Sequence, residues 1–295
     1  MNTDMLQQMK TGRGFIAALD QSGGSTPKAL AAYGIDESQY GNNDQMFELV
    51  HQMRSRIITS PAFNSNKIIG VILFERTMLS QINGKPTADY LWQDKHIVPF
   101  LKIDVGLDEL ANGVQLMKEV PNFNARLEYA RQHGIFGTKM RSVIHEANEQ
   151  GIRDIVVQQF QVAKVICKAG LVPIIEPEVD ITAVDKAECE QLMKSEIIRQ
   201  LESWNPNHQI MFKFSIPSIA NFYSDLYSFS AVVRIVALSG GYSVDEACQK
   251  LTENHNMPAS FSRALLQNLR AQQSDDEFNN TLAAAIEQIY QASIN

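Results

Sequence analysis

Short apolar runs recur along this chain, separated by stretches with helical periodicity, and that recurrence limits its fold more than any other feature. The runs are 14–20, 68–74, 99–104, 135–141, 171–178, 210–216 and 232–239, with a weaker eighth at 259–262. Strands that are continuously apolar, without polar alternation, are those that helices bury on both faces. Between the runs, residues 44–58 repeat apolar positions at Met46, Leu49, Val50, Met53 and Ile57, a helical stripe. Residues 122–133, 153–169, 184–202 and 243–252 are similar, and 263–292 reads as one or two further helices. Asp44, Ser218, Ser243 and Ser260 read as helix caps. Eight βα units within 295 residues predict an α/β fold: a single (β/α)8 TIM barrel over residues 1–295, with extra N- and C-terminal helices. A doubly wound parallel sheet is the rival architecture. No repeat, low-complexity tract or linker divides the chain.

Composition narrows the partners and the compartment. The net charge of −7 argues against nucleic acid and anionic membranes. No apolar run approaches the ~18 residues of a membrane helix, and the first residues lack the apolar core of a leader peptide. Cys167, Cys189 and Cys248 are an odd number at wide spacings, which suits neither a disulfide framework nor a zinc site. The six histidines show no metal-ligand spacing. The expectation is a reduced, cytoplasmic protein without a metal.

Charged residues fall at the carboxyl ends of the runs. They are Asp20 on the first, Lys102 and Asp104 on the third, Lys139 and Arg141 on the fourth, Glu176 and Glu178 on the fifth, and Lys213 on the sixth. The seventh ends in Ser239, Gly240 and Gly241, and the eighth runs into Arg263. One such charge is usually a solvated loop residue. Recurrence at the end where barrels build active sites carries more weight. Alternation puts Phe212 and Phe214 on one face of the sixth run and Met211, Lys213 and Ser215 on the other. Lys213 either sends its ammonium to water or is a buried amine able to attack a carbonyl, and a second cation nearby, Lys139, would favour the neutral amine. Glu176 is the candidate proton carrier, and Asp20 could move a proton at the far carbons of a substrate. Lys102, Lys139, Arg141, Lys213 and Arg263 suit a polyanionic small molecule, most simply a phosphate ester. The two glycines permit close backbone approach and Arg263 a bidentate clamp, although a serine-diglycine is more often only a turn.

Taken in order, Ala18-Leu19-Asp20, Lys102-Ile103-Asp104-Val105-Gly106, Lys139-Met140-Arg141, Ile175-Glu176-Pro177-Glu178, Phe212-Lys213, Leu238-Ser239-Gly240-Gly241 and Phe261-Ser262-Arg263-Ala264-Leu265 resemble the class I fructose-1,6-bisphosphate aldolases. The resemblance runs from about residue 12 to 270. It implies reversible cleavage of fructose 1,6-bisphosphate to dihydroxyacetone phosphate and glyceraldehyde 3-phosphate, a step of glycolysis and gluconeogenesis. By this resemblance Lys213 would form the iminium with the keto carbon, Glu176 would act as acid and base, Asp20 would sit at the bond that breaks, and Lys139 would assist by its charge. Ser239, Gly240, Gly241 and Arg263 would hold the phosphate beside the keto carbon. Lys102, Arg141 and Glu178 would line the rest of the substrate. No cofactor and no metal is implied, because the iminium is the electron sink.

The chain departs from the animal members in having Gln21 after Asp20, no glycine and extra aromatic before Arg263, and Tyr290 in a helix instead of a terminal tyrosine. Another Schiff-base phosphosugar aldolase, of the tagatose-bisphosphate, deoxyribose-phosphate or transaldolase-like kind, is the alternative, and a non-catalytic partner-binding barrel is the third reading. The residues leave open the choice among bisphosphate substrates, regulation, and the assembly state, a homo-oligomer included.

Overall fold

In the computed structural model, which describes residues 2–22 and 25–294, seven strands lie side by side in chain order, all parallel. They are β1 (Phe15–Leu19), β2 (Ile68–Leu73), β3 (Val98–Lys102), β4 (Gly137–Ile144), β5 (Val172–Val179), β6 (Ile210–Ser215) and β7 (Val232–Leu238). Each falls on one of the seven stronger apolar runs. The eighth run forms no strand of comparable length, and residues 258–261 instead bond to both edges of the sheet. The Ala237 N–H donates to the Pro258 carbonyl at 2.9 Å, and the Ser260 N–H to the Ala237 carbonyl at 2.7 Å. On the other side the Ile16 N–H donates to Ala259 at 2.9 Å, and the Ala18 N–H to Phe261 at 3.2 Å. These bonds close the ring. A doubly wound sheet would leave two open edges, so that architecture is excluded.

The principal helices are α1 (Thr3–Thr11), α2 (Ser25–Ala32), α3 (Asn43–Thr59), α4 (Phe123–Gln132), α5 (Glu149–Lys168), α6 (Lys186–Glu202), α7 (Val244–Thr252) and α8 (Asp275–Ser293). Between β6 and β7 there is only a 3-10 turn at Ser224–Ser228. Ser243 caps α7, as expected, by accepting from the Glu246 N–H. Asn42, not Asp44, caps α3, because its side chain reaches the Gln45 N–H. Ser218 and Ser260 cap nothing: the Ser218 N–H is bound by Glu190, and Ser260 belongs to the ring closure.

Two cores follow from strand alternation. Ile16, Ala18, Val98, Phe100, Val172, Ile174 and Met211 face the barrel interior with Met5 and Met9 of α1. Phe15, Leu19, Ile175, Phe212 and Phe214 face outward into the helix layer. Arg234 donates to the carbonyls of Met9 (2.8 Å) and Gly12 (3.0 Å), which holds α1 across the amino end of the barrel. Each fully buried large apolar side chain contributes about 1.5–3 kcal/mol. The interior is therefore apolar at one end, and the charged positions at i+2 and i+4 fall at the other.

Candidate active site

The interior-facing series Ile16-Ala18-Asp20, Phe100-Lys102, Ile174-Glu176-Glu178 and Met211-Lys213 each pass from apolar to ionisable at the carboxyl ends of the strands. Lys213, Glu176, Lys139, Asp20 and Asp104 are all at least nine-tenths buried. The Lys213 Nζ lies 2.9 Å from Glu176 Oε1. Glu176 Oε2 lies 3.1 Å from the Lys139 Nζ, a charge contact without hydrogen-bond alignment. Lys139 in turn lies 2.8 Å from Asp20 and 4.0 Å from Asp104. Strand register explains the convergence: Lys102 stands opposite Lys139, and Arg141 opposite Glu176.

Burial opposes charge on both Asp20 and Lys139, but their neighbours outweigh it. Lys139, Lys213 and Lys102 bring the Asp20 carboxyl down to about 2. Asp20, Glu176 and Asp104 hold the Lys139 ammonium well above the usual lysine range. Around this chain Lys102 donates to Asp104 Oδ1 at 2.7 Å, and Arg141 to Glu178 at 2.9 Å. Burial raises Glu178, against the pull of Arg141.

The expected direct approach of Lys139 to Lys213 is not what forms, because Glu176 lies between them. Lys102, Lys139, Arg141 and Lys213 each contact a carboxylate, and the charge touching the Lys213 amine is Glu176 and not a second cation. Arg263 stands apart on the exposed rim, with the loop after β7. There Gly240 and Gly241 have φ of +62° and +122°, and a Cβ on Gly241 would lie 3.7 Å from the Arg263 Nη2. A Cβ on Gly240 would meet the Ile181 Cγ2 at 2.6 Å, so any other residue there would have to displace that side chain and hold a left-handed backbone. Beside Arg263, Gln21 and Lys28 a cavity of about 440 Å³ opens between α2 and α3.

The model of the fructose-bisphosphate aldolase class-I family matches residues 3–215. A fructose-bisphosphate aldolase class 1 of Porphyromonas gingivalis is 57% identical over 294 residues, covering 100% of both chains. This chain belongs to the class I fructose-bisphosphate aldolases. Aldolases of this class work through a lysine Schiff base and without a metal ion, and the chain shares that chemistry with its family. The fructose-bisphosphate aldolase of Plasmodium falciparum superposes with a TM-score of 0.75 at 19% identity, over 98% of this chain and 92% of that one. A Corynebacterium glutamicum protein superposes at 0.53 and 13% identity, over 99% and 92%. At those identities the likeness is one of fold, and the fold is that of an aldolase barrel.

Three polar residues packed against the cluster had no role assigned from the sequence, and two of them, Gln159 and Arg54, were not singled out there at all. Asp104 was visible as a strand-end charge and proves to bridge Lys102 and Lys139. Gln159 of α5 is fully buried, donates to Ser142 Oγ at 3.0 Å and accepts from the Glu176 N–H at 3.0 Å. Arg54 of α3 is 1% exposed; it donates to Thr77 Oγ1 at 2.8 Å and to the Gln21 carbonyl at 2.6 Å. Burial brings its guanidinium down to about 10, against the attraction of Asp20. The apolar stripes of α3 and α5 gave no sign of either residue.

Proposed function

We propose that this chain, acting as one barrel domain, cleaves fructose 1,6-bisphosphate reversibly into dihydroxyacetone phosphate and glyceraldehyde 3-phosphate, with Lys213 as the nucleophile. The observation that carries the reading is the buried relay Lys213–Glu176–Lys139–Asp20. Glu176 takes the proton of the Lys213 ammonium, and the freed amine forms a C–N bond to the keto carbon. The carbonyl oxygen gains the proton that the attacking nitrogen sheds, then leaves as water with the second proton returned from Glu176, and an iminium remains. Asp20, ionised at neutral pH, takes the proton of the substrate hydroxyl beside the bond that breaks. The electrons of that C–C bond pass into the iminium, glyceraldehyde 3-phosphate departs, and protonation and hydrolysis of the enamine release dihydroxyacetone phosphate. Lys139 stays cationic and steadies both carboxylates.

Ser239, Gly240, Gly241 and Arg263 take the phosphate next to the keto carbon, and Lys102, Arg141 and Glu178 take the hydroxyls and the other phosphate. The cysteines fit a reducing cytoplasm: all three are free thiols, and burial pushes Cys167 and Cys189 up to about 12 and Cys248 to about 11. Among the described residues no helix is long and apolar enough to cross a membrane.

The test is borohydride reduction of the protein with dihydroxyacetone phosphate, followed by peptide mass spectrometry. The expected product is a phosphosugar adduct on Lys213, absent together with turnover from Lys213→Met. An adduct on another lysine would move the nucleophile, and none on folded protein would refute the mechanism.

A further inference from the structure

Arg54 is a cation that the relay does not use. Its guanidinium is almost completely buried, yet among the described residues its hydrogen bonds go to Thr77 and Gln21 and not to a carboxylate. Its Nε has no partner among the described residues, and its planar head lies 6.0 Å from the centre of the Phe74 ring. Burying such a charge without an ion pair costs free energy, and a leucine or methionine would fill the same space more cheaply. Packing alone does not account for it.

What Arg54 holds is the carboxyl end of β1. The Gln21 carbonyl it binds belongs to the residue after Asp20, so the guanidinium fixes the backbone that aims the Asp20 carboxylate at Lys139. Its other arm reaches Thr77, just beyond β2, so the two adjacent strand ends are tied together from α3. The Gln21 side chain continues the connection. Its Nε2 donates to the Ser262 hydroxyl, and Ser262 immediately precedes Arg263. One buried arginine thus stands behind both the group proposed to accept the hydroxyl proton and the segment bearing the rim arginine.

We infer that Arg54 is a positioning residue for carbon–carbon cleavage, acting through Asp20, and that Gln21 couples this point to Arg263. The inference rests on the Schiff-base reading above. Iminium formation at Lys213 turns on Glu176, which Lys213 contacts directly and whose backbone is held by Gln159, whereas Arg54 reaches that carboxylate only through Asp20 and Lys139. Cleavage depends on Asp20, and a displacement of about 1 Å at such a group can cost ~10²-fold in rate.

The experiment compares two rates in the full-length protein: kcat for fructose 1,6-bisphosphate, and the single-turnover rate of borohydride-trappable imine with dihydroxyacetone phosphate. For Arg54→Met, kcat falls by ~10²-fold while imine formation changes by less than about threefold. Arg54→Lys keeps the charge without the fork and falls between, which preserves the test if Arg54→Met fails to fold. Gln21→Ala raises KM for the bisphosphate several-fold with kcat largely kept. Equal losses in both rates would reduce Arg54 to a stability role, and an unchanged kcat in both Arg54 variants would refute the inference. Absence of the Lys213 adduct from the unmodified protein would instead refute the underlying mechanism.

Discussion

Lys139 and Lys213 are both buried lysines on interior-facing positions, and their surroundings separate them. Lys139 touches Asp20 and Glu176 and has Asp104 at 4.0 Å, so its proton is held from three sides. Lys213 contacts one carboxylate, which can receive its proton. On the proposed mechanism the second arrangement is the one that supplies the attacking amine. Asp20 carries a prediction of its own. Its folded-state carboxyl lies at about 2 against an ordinary 3.8, so the stability it contributes is present above pH ~4 and is lost as pH falls toward 2. Urea unfolding of the protein and of Asp20→Asn should therefore differ at pH 6 and converge as pH falls toward 2; a constant difference would contradict the ion pair. Alternation along β6 made the face of Lys213 legible before any coordinates. Arg54 was not legible, because it stands beside Met53 in a stripe that reads as core, and only tertiary placement brings it to Gln21.

At the scale of elements, β4 and β5 pair without interruption from Gly137 opposite Val172 to Ile144 opposite Val179. β5 and β6 pair only at Ile174–Met211 and Ile175–Phe212, so the register ends just before Glu176. The Glu176 N–H is then bound by Gln159 of α5. Replacing Gln159 with leucine keeps the volume but strands that N–H and the Ser142 hydroxyl. A loss of about 2 kcal/mol or more in urea unfolding is expected, at roughly 1–3 kcal/mol per unpaired buried group. An unchanged midpoint would mean that water or a shifted strand replaces the amide. Continuous apolarity identified β1 to β7 within a few residues. The cap of α3 was misplaced by two positions, because Asn42 and Asp44 are equally suitable chemically and only the local turn chooses between them. The eighth run was already the weakest in the sequence, and it forms no full strand because Pro258 removes one ladder donor and neighbouring strands decide the rest.

Across the whole molecule, the mouth of the barrel is balanced in charge. Lys102, Lys139, Arg141 and Lys213 face Asp20, Asp104, Glu176 and Glu178, so the surplus behind the net charge of −7 lies elsewhere. On the proposed reading, a bisphosphate entering this mouth would bind the exposed Arg263 and share the half-buried Arg141 with Glu178, since the buried cations are already paired. The ring closure has a further consequence. Between β7 and β1 the barrel is stitched by the short run 258–261, which makes two backbone bonds to each side and ends two residues before Arg263. This is the seam at which such a cylinder would breathe first, so the amides of Ile16, Ala18, Ala237 and Ser260 should exchange with deuterium sooner than those of central β4. A phosphate gripped by Arg263 would act as a clasp on that seam, and its arrival should slow exchange there and leave β4 unchanged. Equal protection at seam and centre would mean that the cylinder opens only as a whole.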